Sequence, residues 1–150
     1  MFGYRITLSK YANDLSGQGS KLFGSRWNHK GYICLFAAES RALAMLEYAV
    51  NTRLNDIPDD LSVITYDIPG NYLTLCITDL PANWRSPVVP NETRDFGTKL
   101  LKDAKYAAIK IPSVVIPQEF NFLINPLHPD MKKVKITDIS DFSFDVRLKN

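Results

Sequence analysis

The segment at residues 40–54, SRALAMLEYAVNTRL, carries the strongest helix signal in the chain. Ser40 suits the N-cap, and alanine, leucine and methionine are strong helix formers for the interior. At about 100° per residue, one apolar stripe gathers four side chains, those of Leu43, Leu46, Val50 and Leu54. Glu47 lies about 40° from Leu43 on the same wheel, at the edge of that stripe. A carboxylate placed there must be paired, hydrogen-bonded or open to a cavity.

Two explanations of Glu47 stay open at this point. Arg5 lies in a predicted first strand at residues 4–8, on the face opposite to Tyr4, and could form a buried ion pair with Glu47. Alternatively, Glu47 could be a catalytic group in a cleft. The residues alone favour neither explanation.

Composition excludes several function classes. The chain has 150 residues, 45% hydrophobic and 23% charged, which predicts a single globular domain spanning residues 1–150. A net charge of +2 without a basic run argues against direct nucleic-acid binding. No stretch of signal-peptide type and no apolar run of about 20 residues is present, so we expect a cytoplasmic protein without a membrane span.

The cysteines and histidines predict no metal site. Cys34 and Cys76 lie in apolar strand-like runs without CxxC spacing, so buried reduced thiols are expected. His29 and His128 are far apart in sequence, and neither has a second ligand at metal-binding spacing.

The remaining pattern is mostly strands with two main helices, which predicts the α+β class. The second helix is expected at residues 93–105. Pro-Gly-Asn at residues 69–71 predicts a hairpin between strands at 61–68 and 72–77. Two further short strands are expected in the tail, at residues 134–136 and 142–146. A long glycine-rich loop at residues 9–31 is a candidate functional segment because such loops are uncommon in compact domains.

Dispersed polar residues carry the available chemistry. GxGxxG, P-loop, HExxH and GxSxG motifs are all absent from the sequence. Arg26 lies in the glycine-rich loop, and Ser113 follows Pro112 where a predicted strand breaks. An arginine can bind a diphosphate, and a carboxylate can stabilise an oxocarbenium-like centre, so the two together suit a dinucleotide glycosidic bond.

Six motifs, in order along nearly the whole chain, resemble the RES-domain family of bacterial toxins. They are YRI at 4–6, GSRWNHKG at 24–31, AESRALAMLE at 38–47, IPSVVIP at 111–117, NFLINPLHPD at 121–130 and FDVRL at 144–148. The resemblance implies a compact ADP-ribosyltransferase-like domain. It also implies breakdown of NAD⁺ as a substrate, with no resident cofactor, by cleavage of the nicotinamide–ribose bond through hydrolysis or phosphorolysis. Transfer of ADP-ribose to a protein is the implied alternative, and a non-catalytic binding module with an Arg5–Glu47 ion pair is a second alternative.

The resemblance also implies site residues. The family is named for an arginine, a glutamate and a serine, which fall on Arg5, Glu47 and Ser113 as the catalytic set. NAD⁺ contacts are implied for Arg5 and for four further residues, namely Arg26, Tyr32, Phe36 and Asn125. Phe36 stands where the family usually has a pocket tyrosine, and Tyr32 is an alternative hydroxyl donor. Ser25 replaces the second glycine of the family's Gly-Gly-Arg-Trp-Asn.

The partner implied by the resemblance is an Xre-type helix-turn-helix antitoxin that binds DNA in place of this chain. A homodimer within the toxin–antitoxin complex is a further expectation.

Overall fold

A computed structural model describes residues 1–148 and contains one seven-stranded sheet with three α-helices. The strands are β1 (Phe2–Leu8), β2 (Leu35–Ala38), β3 (Leu61–Asp67), β4 (Tyr72–Thr74), β5 (Ala108–Pro112), β6 (Phe120–Ile124) and β7 (Lys135–Phe142). The helices are α1 (Gln18–Phe23), α2 (Arg41–Val50) and α3 (Asn91–Asp103). The predicted α+β class is confirmed, and α1 is an additional short helix inside the predicted loop.

The sheet runs in the order β4-β5-β6-β2-β1-β3-β7. All neighbouring strands pair antiparallel except β4 and β5, which are parallel. Residues 1–148 contain no helix long and apolar enough to cross a membrane.

The two sheet faces pack against different cores, because side chains alternate along each strand. One face contributes Leu35, Ala37, Ile64, Tyr66 and Phe122 to a cluster that the segment after β1 covers through Ala12. The opposite face packs against the helices. There, Ile6, Ala38 and Val63 contact α2 through Leu43 and Ala44, and Ile109, Ile111 and Leu123 form a cluster with Trp27, Trp84 and Leu101.

Helix α2 begins as predicted but ends early. The Ser40 hydroxyl accepts a hydrogen bond from the backbone N–H of Leu43 at 3.0 Å, so Ser40 is the N-cap. The helix ends at Val50, whose side chain is 60% exposed, and Leu54 is exposed in a following 3-10 turn. The buried stripe is therefore shorter than the wheel predicts and is completed by Ala44.

The predicted hairpin at residues 61–77 is wrong. Both edges of β3 are occupied, by β1 on one side and β7 on the other, whereas β4 lies at the far edge of the sheet beside β5. Pro-Gly-Asn therefore redirects the chain instead of closing a tight turn. The two tail strands are also wrong in number, because one strand, β7, runs from Lys135 to Phe142 along β3.

The cysteine prediction is half right. Both thiols are free, but only Cys34 is buried, while Cys76 is exposed at the start of a 3-10 turn. Burial raises the pKa of the Cys34 thiol well above its usual range.

Candidate functional site

Glu47 projects from α2 toward the end of β5 and the start of β6, where two neutral side chains bind it. Its Oε1 accepts a hydrogen bond from the Ser113 hydroxyl at 2.7 Å and another from Asn121 Nδ2 at 2.6 Å. Within residues 1–148, Oε2 has no hydrogen-bond donor. The half-buried carboxylate is thus fixed through one oxygen and leaves the other available to a ligand.

Ser113 is fixed by the turn that it begins. It follows Pro112, the last residue of β5, and its N–H donates to the carbonyl of Glu119 at 2.8 Å, which closes the loop to β6. Its hydroxyl oxygen accepts from the N–H groups of Val115 and Ile116 at 3.0 and 3.2 Å. The hydroxyl proton is therefore free only for Glu47. Since Ser113 is completely buried, its role in this structure is to position Glu47.

Asn121 is the site residue that sequence reasoning missed. It lies on β6, paired with Ala38 of β2 and Ile111 of β5, and its side chain faces α2 because it alternates with Phe122. Its Oδ1 is buried without a hydrogen-bond partner among the described residues. Its place in the NFLIN motif was a sequence signal for Asn121. The resemblance, however, implies an NAD⁺ contact for the second asparagine of that motif, Asn125.

Arg26 is a guanidinium on which the charge of Glu47 acts. Its Nη1 donates to the carbonyls of Trp84 and Ser86 at 3.1 and 2.8 Å, which holds the side chain against segment 81–90. Burial lowers the pKa of Arg26, the negative charge of Glu47 acts to raise it, and the positive charge of Arg94 acts to lower it. The half-buried Arg26 therefore lies in a region that holds both a carboxylate and a second guanidinium.

The Arg26 loop is anchored to α3 by close packing. Trp27 packs on Trp84, with ring centroids 6.5 Å apart, and a Cβ on Gly97 would lie 1.9 Å from the Trp27 carbonyl oxygen. Asn28 is completely buried and donates to Ser20 and to the carbonyl of Tyr32. Glycine at position 97 is therefore required for α3 to approach the loop that carries Arg26.

Arg5 is not brought together with Glu47. It pairs with Ile64 across β1 and β3, so it shares the face of Ile64 and Tyr66, opposite to α2. Burial raises the pKa of the Tyr66 phenol, while the charge and hydrogen bond of Arg5 act to lower it. Within residues 1–148 no ion pair joins Arg5 to Glu47, so the alternative of a structural Arg5–Glu47 pair is wrong, because strand alternation directs Arg5 away.

The three remaining residues that the resemblance implies as NAD⁺ contacts lie in different parts of the fold. Phe36 is half-buried on β2 and packs with the Trp27 cluster on the helix-covered face. Tyr32 is 37% exposed, and its ring lies 5.9 Å from Lys102 Nζ. Asn125 follows the other end of β6, about 13 Å along the strand from Asn121.

Asn125 already has a structural role. Its Nδ2 donates to the Leu101 carbonyl at 2.9 Å and its Oδ1 accepts from the N–H of Leu127 at 3.1 Å. These bonds join the end of α3 to the loop after β6. An NAD⁺ contact for Asn125 stays a prediction. In the structure, this side chain connects α3 to the loop after β6.

The described residues contain no cluster of three or more histidine, cysteine, aspartate or glutamate side chains suited to a metal ion.

Comparison with known proteins identifies the family. The RES domain matches residues 3–146. The chain is 35% identical to "Toxin Res" of Yersinia enterocolitica over 99% of this chain and 100% of that protein. It is 34% identical to "Prs ADP-ribosylating toxin" of Sphingobium sp. over 91% of this chain and 88% of that protein.

A solved structure shares the fold. The crystal structure of the MbcT–MbcA toxin–antitoxin complex of M. tuberculosis contains a chain that matches with a TM-score of 0.76 and 16% identity, over 95% of this chain and 84% of that one. Because a RES domain accounts for nearly every described residue and full-length relatives share a third of the sequence, this chain belongs to the RES-domain family.

Proposed function

We propose that this chain is the toxin of a toxin–antitoxin pair and that it cleaves the nicotinamide–ribose bond of NAD⁺. The observation that carries the proposal is the Glu47 carboxylate, held through Oε1 by Ser113 and Asn121, while Oε2 has no donor among the described residues. Relatives named as toxins, one of them ADP-ribosylating, support the same conclusion.

The chemistry follows from the properties of a fixed carboxylate. When the C–N bond between ribose and nicotinamide breaks, its electron pair leaves with nicotinamide and positive charge develops at the anomeric carbon. A carboxylate aimed at that carbon stabilises the oxocarbenium-like transition state without having to reorganise. Arg26 would bind the negatively charged diphosphate and so place the ribose against Glu47.

The acceptor of ADP-ribose defines the two candidate activities. Attack by water or inorganic phosphate gives a small soluble product, which makes the chain a glycohydrolase or phosphorylase. Attack by a protein nucleophile makes it an ADP-ribosyltransferase, and the name of the Sphingobium relative favours this second candidate. NAD⁺ is the substrate in both cases and no resident cofactor is invoked.

Incubation of the purified chain with NAD⁺ labelled in the adenine moiety tests the proposal. We expect free nicotinamide and a soluble labelled product from the wild type, and neither from Glu47→Gln. Phosphate-free and phosphate-containing buffers separate hydrolysis from phosphorolysis. A labelled protein band in a cell lysate would favour transfer, and intact NAD⁺ after incubation with folded wild type in buffer and in lysate would refute the proposal.

An antitoxin is the proposed partner, supported by a structural neighbour that was solved as a toxin–antitoxin complex. An Xre-type helix-turn-helix protein, a homodimer within that complex and a cytoplasmic site of action are further parts of the proposal. Co-expression with the neighbouring gene product, followed by size-exclusion chromatography, tests the first two.

A further inference from the structure

Three arginines, Arg26, Arg85 and Arg94, lie in or beside segment 81–90, and their hydrogen bonds within residues 1–148 all go to main-chain carbonyls. Arg26 donates to the carbonyls of Trp84 and Ser86, on either side of Arg85. Arg94 donates to the carbonyls of Ser25 and Val89 at 3.3 and 3.2 Å. Ser25 precedes Arg26, so Arg94 binds the same loop that carries Arg26.

Arg85 extends from this segment toward the turn that holds Glu47. Its Nη2 donates to the carbonyl of Val114 at 3.2 Å, one residue beyond Ser113. Its guanidinium lies 5.9 Å from the ring centroid of the buried Trp84. Arg85 is nevertheless exposed to solvent, so its remaining N–H groups are accessible to a ligand.

Within residues 1–148 none of the three guanidiniums forms an ion pair with a carboxylate. Glu47 and Arg94 are the charges that act on Arg26. Arg26 and Arg94 carry like charges that repel each other, and a bound anion relieves that repulsion. Several forked donors around one segment suit a ligand with two adjacent phosphates.

The geometry points to Arg85 and Arg94, together with Arg26, as the binding site for the diphosphate of the dinucleotide. Arg26 and Arg85 contact the phosphates, and Arg94 is a positioning residue that holds the Arg26 loop and adds positive charge. Arg85 thus takes the place beside Arg26 that the resemblance assigned to Arg5. This inference rests on the proposed function, because the diphosphate must lie near Glu47 for the ribose to reach it.

Direct binding of ADP tests the inference without any turnover. ADP carries the diphosphate and lacks nicotinamide, while adenosine lacks the phosphates, so the ratio of their affinities measures the diphosphate contribution. Calorimetry with wild type, Arg85→Gln and Arg94→Gln is the measurement. Lys135→Gln is the control, because it removes one positive charge from the exposed edge strand β7.

We expect Arg85→Gln to weaken ADP binding by about 10-fold or more and to change adenosine binding little, because it removes a charged hydrogen-bond donor. Arg94→Gln should weaken ADP binding less, and Arg94→Lys should restore part of it. Lys135→Gln should leave the affinity for ADP within about 2-fold, since exposed charges are screened. Higher salt should weaken ADP binding to wild type more than to Arg85→Gln.

Three outcomes would overturn the inference. The first is wild type that binds ADP no better than adenosine. The second is Arg85→Gln with an unchanged affinity for ADP. The third is an Arg94→Gln variant whose affinities for ADP and adenosine fall by the same factor and which unfolds at a lower temperature than wild type. Arginine-dependent ADP binding by a wild type that releases no nicotinamide would support the diphosphate site and refute only the proposed activity.

Discussion

The two faces of the sheet show how differently this fold uses its polar residues. On the face opposite to α2, the charge of Arg5 acts on Tyr66, a member of the apolar cluster there. On the face covered by the helices, Glu47 meets Ser113 and Asn121, and one of its oxygens is left without a donor. The two faces therefore place their charged residues in different surroundings: Arg5 lies among apolar and aromatic side chains, whereas Glu47 is held by two neutral donors.

Glu47→Gln should produce the largest effect. The amide oxygen can still accept from Ser113 and Asn121, so the variant should fold, but the negative charge that stabilises the anomeric carbon is lost. We expect nicotinamide release to fall by at least about 100-fold, as when a preorganised transition-state contact is removed. Nicotinamide release is measured by chromatography and folding by circular dichroism. Near-normal activity in a folded variant would remove Glu47 from the mechanism.

Arg26→Gln and Arg5→Gln contrast the two faces directly. Arg26→Gln should raise KM for NAD⁺ by about 10-fold, because a charged contact to the diphosphate is lost. Arg5→Gln should leave KM near the wild-type value and lower the free energy of unfolding by about 1 kcal/mol or less, because it removes the charge that acts on Tyr66. Steady-state kinetics and urea unfolding provide the two readouts. The reverse pattern would restore Arg5 to the site, as the family resemblance implies.

Asn121→Ala and Asn125→Ala make a matched pair at the two ends of β6. Loss of the Asn121 donor frees the Glu47 side chain to move, so we expect kcat to fall by about 10-fold with a modest change in stability. Asn125→Ala leaves the buried carbonyl of Leu101 without its side-chain donor and removes the acceptor of the Leu127 N–H, which should cost about 1 to 3 kcal/mol of stability. Activity per folded Asn125→Ala molecule should stay near normal. Equal effects of the two substitutions on kcat would contradict this division of roles.

Phe36→Tyr should have the smallest effect. The ring is half-buried on the helix-covered face, and the added hydroxyl restores the group that the family usually has at this position. One neutral hydrogen bond to substrate should lower KM for NAD⁺ by about 2- to 5-fold. Tyr32→Phe is the control, since a hydroxyl donor at position 32 is the alternative. A larger loss of activity from Tyr32→Phe than gain from Phe36→Tyr would favour that alternative.

Local signals predicted the elements that depend on neighbouring residues. The Ser40 cap and the face of α2 that carries Glu47 follow from helical periodicity, and the opposite directions of Tyr4 and Arg5 follow from strand alternation. The hairpin at residues 61–77 failed because strand pairing is decided across the whole sheet. Residues of β4 gain their hydrogen bonds from β5, which is more than thirty residues away in sequence.

The sequence by itself determined the α+β class, the family and the anomalous place of one carboxylate on an apolar helix. Only the tertiary structure decided what that carboxylate contacts. The residues that donate to Glu47, Ser113 and Asn121, are 66 and 74 residues away in sequence, and no local pattern predicts contacts at such separations. The tertiary structure also decided which arginine lies on the same side of the sheet as Glu47. The positions of Arg5 and Arg26 depend on strand register and on how α3 packs against the Arg26 loop.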